Sequence, residues 1–314
     1  MDHALAIIAL IASFYFLGKA ADLIITNIRA IGEKLGIQIF FLGIILGFLT
    51  SLPELFLGIN AIVNGVPEVS LGNLLGGTIV LFGLILGLSI FYNRRIKTNG
   101  NITDFAFAFV YMIIPLFLGL DGRIGPIDAF ILITVYIYLL YIFYIDQKKH
   151  NHLEICITSE GNEILKKILM IVVGIFLVIM ISNVIMNLFV YALNGWHVSI
   201  FIVGLIMFSL GTNLPELIVA LRSYHNKLSD LSMSNIIGSA ISNIVIIGVF
   251  ALFRPFQVEV NMSYFALIFF SVLIYGAFLY FYRTDNVLTG KEGLVLILIY
   301  LLFLATQIGF LAAS

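Results

Sequence analysis

The sequence predicts an all-α integral membrane protein with ten transmembrane helices, arranged as two inverted five-helix repeats. Three observations carry that expectation. Hydrophobic residues make up 61% of the chain and charged residues only 11%, with a mean hydropathy of +1.13, whereas soluble domains carry about 25% charged residues. Apolar runs of roughly 20 residues, enough to cross a hydrocarbon core of about 30 Å, recur from end to end. Finally, Thr50-Ser51-Leu52-Pro53-Glu54 returns 162 residues later as Thr212-Asn213-Leu214-Pro215-Glu216.

The first apolar run, 4–31, lacks the short basic region and cleavage site of a signal peptide and reads as a retained helix. The second, 37–63, is interrupted at Pro53. The third, 69–92, carries Gly72-xxx-Gly76 and Gly83-xxx-Gly87, spacings that let helices approach closely. Runs 104–120 and 126–145 complete a first repeat over 1–146. Residues 147–163 hold lysines, histidines and carboxylates and read as a linker; Cys156, the single cysteine, excludes an intrachain disulfide and a cysteine-rich metal site. The second repeat, 164–314, repeats the pattern in 164–193, 198–223 (interrupted at Pro215), 231–253, 264–282 and 293–313.

Loop charge sets the orientation. Alternate loops collect Arg29, Lys34, Arg94, Arg95, Lys97, Lys148, Lys149, Lys166, Lys167, Arg222, Lys227, Arg283 and Lys291, while the opposite loops hold only Arg123 and Arg254. The basic side is expected to face the cytoplasm, which leaves both termini outside a cell (plasma) membrane and makes the linker cytoplasmic. Arg94, Arg95 and Lys97 stand where anionic membrane lipid would meet them. Because each repeat holds five spans, an odd number, the second enters the membrane upside down. Inverted repeats with broken helices are a transporter signature.

The doubled motif supplies the chemistry. A charged group at bilayer depth costs about 2.5–3.5 kcal/mol or more, and neither motif holds a basic residue to offset Glu54 or Glu216; a bound cation or a proton is the natural partner. Proline lacks an amide proton and crowds the carbonyl four residues back, so Pro53 weakens the bond at Leu49 and Pro215 that at Gly211. Thr50 and Glu54 share a helical face, as do Thr212 and Glu216. Carboxylates, hydroxyls and freed carbonyls are the hard oxygen donors that Ca2+ prefers, and two carboxylates match one divalent ion in charge. Ser239 and Asn243, one turn apart, are candidates to face the same site. Asn73 and Asn235, also 162 apart, read either as helix–helix hydrogen-bonding groups or as support for the site.

The two Leu-Pro-Glu motifs and their paired segments, Gly72-Asn73-Leu74-Leu75-Gly76-Gly77 and Ser234-Asn235-Ile236-Ile237-Gly238-Ser239, resemble the alpha repeats of the sodium/calcium exchanger family, in the cation/calcium antiporter superfamily. The likeness covers nearly the whole chain. It implies clustered mid-membrane ion sites built by Thr50, Ser51, Glu54, Thr212, Asn213 and Glu216, with carbonyls from Gly47 and Ser209 and eighth-helix contributions from Ser239 and Asn243. It implies a monomer whose first and sixth helices slide past the rest. The chain departs from the family pattern at Gly77, where a serine ligand is usual, at Leu81, where asparagine or aspartate is usual, at Asn213, which replaces a serine, and at Asn243, often a carboxylate in relatives.

The expected activity is antiport of Ca2+, or another divalent cation, against Na+; coupling to H+ on the same fold is the alternative, since the departures remove third-helix polar groups. HExxH, GxSxG and paired aspartates are absent from the sequence, which argues against an intramembrane enzyme. No cofactor and no nucleic-acid partner are expected; the partners are inorganic cations and lipid.

Overall fold

The computed structural model describes residues 3–34, 39–97, 103–150, 161–193, 199–214, 216, 217, 220, 229–284 and 287–313. The chain is nearly all helical. It runs through α1 (His3–Lys34), α2 (Ile39–Thr50), α3 (Leu52–Val63) and α4 (Pro67–Ile79), which passes through a π-helical turn at Val80–Ile85 into α5 (Leu86–Asn93). Then come α6 (Thr103–Leu118), α7 (Pro126–His150), α8 (Gly161–Leu193), the short α9 (Ile200–Val203) and α10 (Ser209–Thr212) around a second π-helical turn at Gly204–Phe208, α11 (Ser229–Phe253), α12 (Met262–Arg283) and α13 (Gly290–Ala313).

Eight segments among the described residues are helical, long and apolar enough to cross a membrane, counting α2–α3 and α4–α5 as one each. The segments expected as the fourth and seventh spans appear as shorter apolar helices, Ala106–Asp121 and Ile200–Thr212. The former contains Pro115 and ends in a 3-10 turn at Gly119–Asp121, and the latter stops at the turn at Asn213. Within the segment expected as a linker, α7 continues through His150 and α8 opens at Gly161; lysine, glutamine and glutamate are good helix formers. Cys156, His152, Pro215, Arg222 and Lys227 lie outside the described residues.

Two helices form the centre. Of the spans Pro67–Asn93 and Met233–Phe253, 83% is buried, against 22% for Pro126–Phe143 and for Ile164–Leu188. The outer helices turn large apolar side chains such as Phe130, Tyr138, Leu169 and Phe176 outward, as a surface bathed in lipid requires.

Glycine brings the central helices to the broken ones. A Cβ at Gly238 would stand 2.7 Å from the Ile44 carbonyl oxygen, and one at Gly47 would collide with the backbone of Gly238 and Ser239, so α2 and α11 cross backbone to backbone. The second crossing has the same form: a Cβ at Gly72 would run into the Phe201 carbonyl, and one at Gly76 into the Leu205 carbonyl. These contacts fit the reading of Gly72-xxx-Gly76 as a packing motif. Gly83 in the π-helical turn against Tyr300, and Gly87 in α5 against Gly293 and Ile297, extend it along α13.

Two short antiparallel ribbons tie the ends of the helices. Arg95–Lys97 pairs with Val287–Thr289, and Arg123–Ile124 with Phe256–Gln257. Arg95, in the first ribbon, and Gln257, in the second, are 162 positions apart, like the motifs. Helices α1 and α8 pack along each other and form an apolar cluster, including Leu17, Ile24, Val178 and Ile185, that also takes in Leu57 and Ala61 of α3 and Phe208 of the second π-helical turn. Lys19, on α1, lies 5.7 Å above the Tyr15 ring.

Replacing Gly72 by alanine forces a methyl group into backbone, and overpacking of this kind costs about 1–3 kcal/mol. Gly72→Ala should lower the melting temperature of the detergent-solubilised protein clearly. Gly309→Ala, whose added carbon meets nothing within 4 Å, should leave it unchanged or slightly raised. Equal melting temperatures would show that the α4 crossing is not tightly packed.

Candidate ion-binding site

Each copy of the motif sits where a helix breaks and restarts. In the first, α2 ends at Thr50, Ser51 forms the turn, and α3 starts with Leu52, Pro53 and Glu54 in its first turn. Proline suits that position because its missing N–H is one the helix start leaves unused. Glu54 gains from the positive end of the α3 dipole. The second copy breaks at Asn213, after α10, and the chain is helical again at Glu216 and Leu217. The restart bonds correspond across the repeats: Leu55 N–H donates to Ser51 O and Leu217 N–H to Asn213 O, both at 3.1 Å.

Both carboxylates are fully buried, as are Thr50, Ser51, Ser209, Thr212, Asn213, Ser239 and Asn243. Glu54 and Glu216 are close enough to interact electrostatically. The two halves interlock: Thr212 stands beside Glu54, and Thr50 beside Glu216. Each carboxylate therefore faces the hydroxyl of the other repeat.

The Glu216 half is a network of hydroxyls. Ser239 Oγ lies 2.8 Å from Glu216 Oε1, 2.6 Å from Thr50 Oγ1 and 3.0 Å from the Gly47 carbonyl oxygen. Thr50 Oγ1 and Ser51 Oγ each lie 3.0 Å from that same carbonyl. A hydroxyl has one hydrogen and two lone pairs, so the set is satisfied when Ser239 donates to the carboxylate, Thr50 to Ser239, and Ser51 to Gly47.

The Glu54 half is built differently. The position matching Ser239 is Gly77, and the position matching Ser51 is Asn213. Asn213 Nδ2 donates to the Ser209 carbonyl at 2.7 Å. A Cβ at Gly77 would lie 2.8 Å from Asn243 Nδ2 and 3.1 Å from Asn213 Nδ2, so two amides from the second repeat fill the space above the glycine. Leu81, which matches Asn243, is buried in the apolar core. Thr212 Oγ1 donates to Asn73 Oδ1 at 3.1 Å, which joins the two repeats and gives Asn73 a part in the site. Asn235 has no such bond; neither amide atom has a partner among the described residues.

Several acceptors are left open. Among the described residues, both Glu54 oxygens, Glu216 Oε2, Asn213 Oδ1 and Asn243 Oδ1 are buried without a hydrogen-bond donor. Buried polar atoms are ordinarily paired, and a buried carboxylate without a donor is costly. A converging set of bare oxygens suits a hard cation of the Ca2+ type.

The sodium/calcium exchanger protein family matches residues 5–145 and 166–309. The chain belongs to that family. The sodium/calcium exchanger MaX1 of Methanosarcina acetivorans is 24% identical, over 94% of this chain and 96% of its own. Among solved structures, the H+/Ca2+ exchanger CAX superposes with a TM-score of 0.78 at 18% identity, covering 96% of this chain and 82% of that one. The sodium-calcium exchanger NCX_Mj gives 0.70 at 22%, covering 96% and 98%. The two likenesses show a shared fold, and the family is one of ion exchangers rather than enzymes. Family membership also identifies Ca2+ and Na+ as the ions such proteins transport.

Ser239 Oγ touches Glu216, Thr50 and the Gly47 carbonyl at once, and by turning its hydrogen away it can offer a lone pair to a cation. Ser239→Ala removes that oxygen and should weaken Ca2+ binding to the purified protein about tenfold, equivalent to about 1.4 kcal/mol, in a titration or filter-binding assay. Unchanged affinity would place Ser239 outside the site.

Proposed function

We propose that the protein is a secondary active antiporter that exchanges Ca2+, or another divalent cation, for Na+ by alternating access, with the ions held at mid-membrane by Glu54 and Glu216. The observation that carries the reading is the meeting of two fully buried carboxylates, one from each copy of the motif, with three of their four oxygens bare among the described residues. Thr50, Ser51, Thr212, Asn213, Ser239 and Asn243 supply the surrounding oxygens, and the Gly47 and Ser209 carbonyls lie next to them.

The ten-helix inverted architecture completes the reading, with repeats over 1–146 and 164–314 joined by a cytoplasmic linker over 147–163. The constant 162-residue offset supports it, since the motifs, the restart bonds at Leu55 and Leu217, and the ribbon residues Arg95 and Gln257 all follow it. An inverted pair can exchange the conformations of its halves and so open the site to either side. Loop charge favours a plasma-membrane location with both termini outside, and the site needs no second copy of the chain, in keeping with a monomer.

A second reading, coupling to H+, is favoured by one observation: Gly77 and Leu81 leave the Glu54 half without the oxygens their partners Ser239 and Asn243 provide. Na+ requires several oxygens, whereas a proton requires one.

In proteoliposomes, an outward Na+ gradient should drive uptake of radioactive Ca2+, and Glu54→Gln and Glu216→Gln should each abolish it, because a neutral side chain no longer offsets the ion's dehydration. Uptake that follows a pH gradient and ignores Na+ would decide for the second reading. If neither gradient drives uptake, or if both variants transport normally, the antiporter assignment is wrong.

A further inference from the structure

We infer that the groove between α1 and α8 is a binding site for an unesterified fatty acid, with its carboxylate on Lys19 and its chain along the apolar side chains of both helices. The site is separate from Glu54 and Glu216 and does not depend on the antiporter reading.

Lys19 stands at a depth where a cation needs a partner. It lies near the middle of the apolar span Ile8–Ile28. Its neighbour Gly18 is buried, and a Cβ there would lie 3.5 Å from Cβ of Leu214, inside the second copy of the motif. Phe14 packs on Phe208, and a Cβ at Gly211 would run into its ring. These contacts set this stretch of α1 at the level of the second helix break, while Lys19 itself is exposed on the outer side. A lysine stem is too short to carry the ammonium from mid-span to the membrane surface, so snorkelling does not relieve the charge. The ammonium lies 5.7 Å from the centre of the Tyr15 ring; a ring face attracts a cation but brings no charge to neutralise it. Asp22, three residues on, is half-buried and has an interaction of its own.

The groove beside Lys19 has the lining of an acyl site. A volume of about 330 Å3 runs between the helices, bordered by Phe16 and Leu23 of α1 and by Leu177, Ile181 and Val184 of α8. Ser13, the other polar residue of the lining, donates its hydroxyl hydrogen to the Ala9 carbonyl at 2.7 Å, which leaves Lys19 as the donor for a ligand. One ammonium among apolar side chains matches an aliphatic chain with a single terminal anion. Depth selects among such anions. A phospholipid phosphate stays charged and remains at headgroup level, whereas a protonated fatty acid moves through the hydrocarbon as a neutral molecule and can bring its carboxyl group to mid-span. The acid either arrives ionised or hands its proton to the Lys19 amine, and both routes end in an ammonium–carboxylate pair.

The test uses the full-length protein in phosphatidylcholine nanodiscs and an oleate carrying a photoreactive diazirine on its chain. Peptide mapping should find the label on α1 and α8 around the groove. Unlabelled oleate should displace it, and phosphatidylglycerol and methyl oleate should not. Lys19→Met, which keeps the bulk of the stem and removes the charge, should lower labelling of these helices about tenfold, the worth of one charge-assisted bond. Lys19→Arg should retain the label, and Asp22→Asn should leave it unchanged. Equal labelling in Lys19→Met, or label as dense on the outer faces of α7 and α13 as on α1 and α8, would reduce the signal to general lipid contact and overturn the site. Displacement by methyl oleate would remove the part given to the carboxylate, and displacement by phosphatidylglycerol would assign the groove to phospholipid; either overturns the inference. A several-fold rise in Asp22→Asn would show that Asp22 holds Lys19 in the native protein and closes the site to an outside anion.

Discussion

Two carboxylates buried against each other, with no basic side chain beside them among the described residues, constrain the whole fold. Glu54 and Glu216 repel one another and cannot reach water, so the surrounding chain must either compensate for them or leave room for something that does. The two broken helices answer part of this requirement. Restarting a helix at Leu52 turns its positive end toward Glu54, and the corresponding restart follows Asn213. Hydroxyls from the opposite repeat answer another part. What remains uncompensated is a set of oxygens bare among the described residues, and in the proposed antiporter these are the ion's own share.

Bringing two helix breaks to one place requires close approach elsewhere. A broken segment has lost part of its own backbone bonding and needs a continuous helix alongside it. Here α11 supports the first break and α4 the second, each through contacts in which a glycine meets backbone. The crossing at Gly47 and Gly238 puts Ser239 directly over the first break, where it reaches Thr50, Ser51 and Glu216 together. A side chain at either glycine would move Ser239 away from all three. Packing and the placing of the buried hydroxyls are thus fixed by the same few residues, and α1 and α8 cover the broken helices through an apolar cluster that includes Leu57, Ala61 and Phe208.

Most of this arrangement was legible in the sequence, for identifiable reasons. Apolar runs in lipid have little choice but to form helices, and a proline beside a buried glutamate is conspicuous in a chain with so few charges. Repetition at a fixed offset made the two glutamates partners before any contact was known. The long-range side-chain bonds were not legible. Asn73 could be read as a packing residue or as part of the site, and only its bond to Thr212, 139 residues away, gives it a place. Gly77 and Asn213 read as two separate departures from a pattern. In space they are one feature, because the amide of Asn213, joined by that of Asn243, fills the volume that Gly77 leaves. Sequence offset aligns a residue with its counterpart in the other repeat, but the neighbours it touches come mainly from the opposite one.

The two halves therefore share a backbone plan and differ in chemistry. A hydroxyl can donate or withdraw its hydrogen by rotating, so the Glu216 half can serve a bound ion and then satisfy itself when the ion leaves. A primary amide presents its donors and its acceptor on opposite edges. With Asn213 Nδ2 held on Ser209 O, its Oδ1 points elsewhere and the amide cannot exchange the two roles without turning over. In the Glu54 half both carboxylate oxygens lack a hydrogen-bond donor among the described residues, and the Thr212 hydroxyl that stands beside Glu54 is turned to Asn73 Oδ1. Thr212 can meet Glu54 only by leaving Asn73, so satisfying that carboxylate costs a bond between the repeats, whereas Ser239 already donates to Glu216.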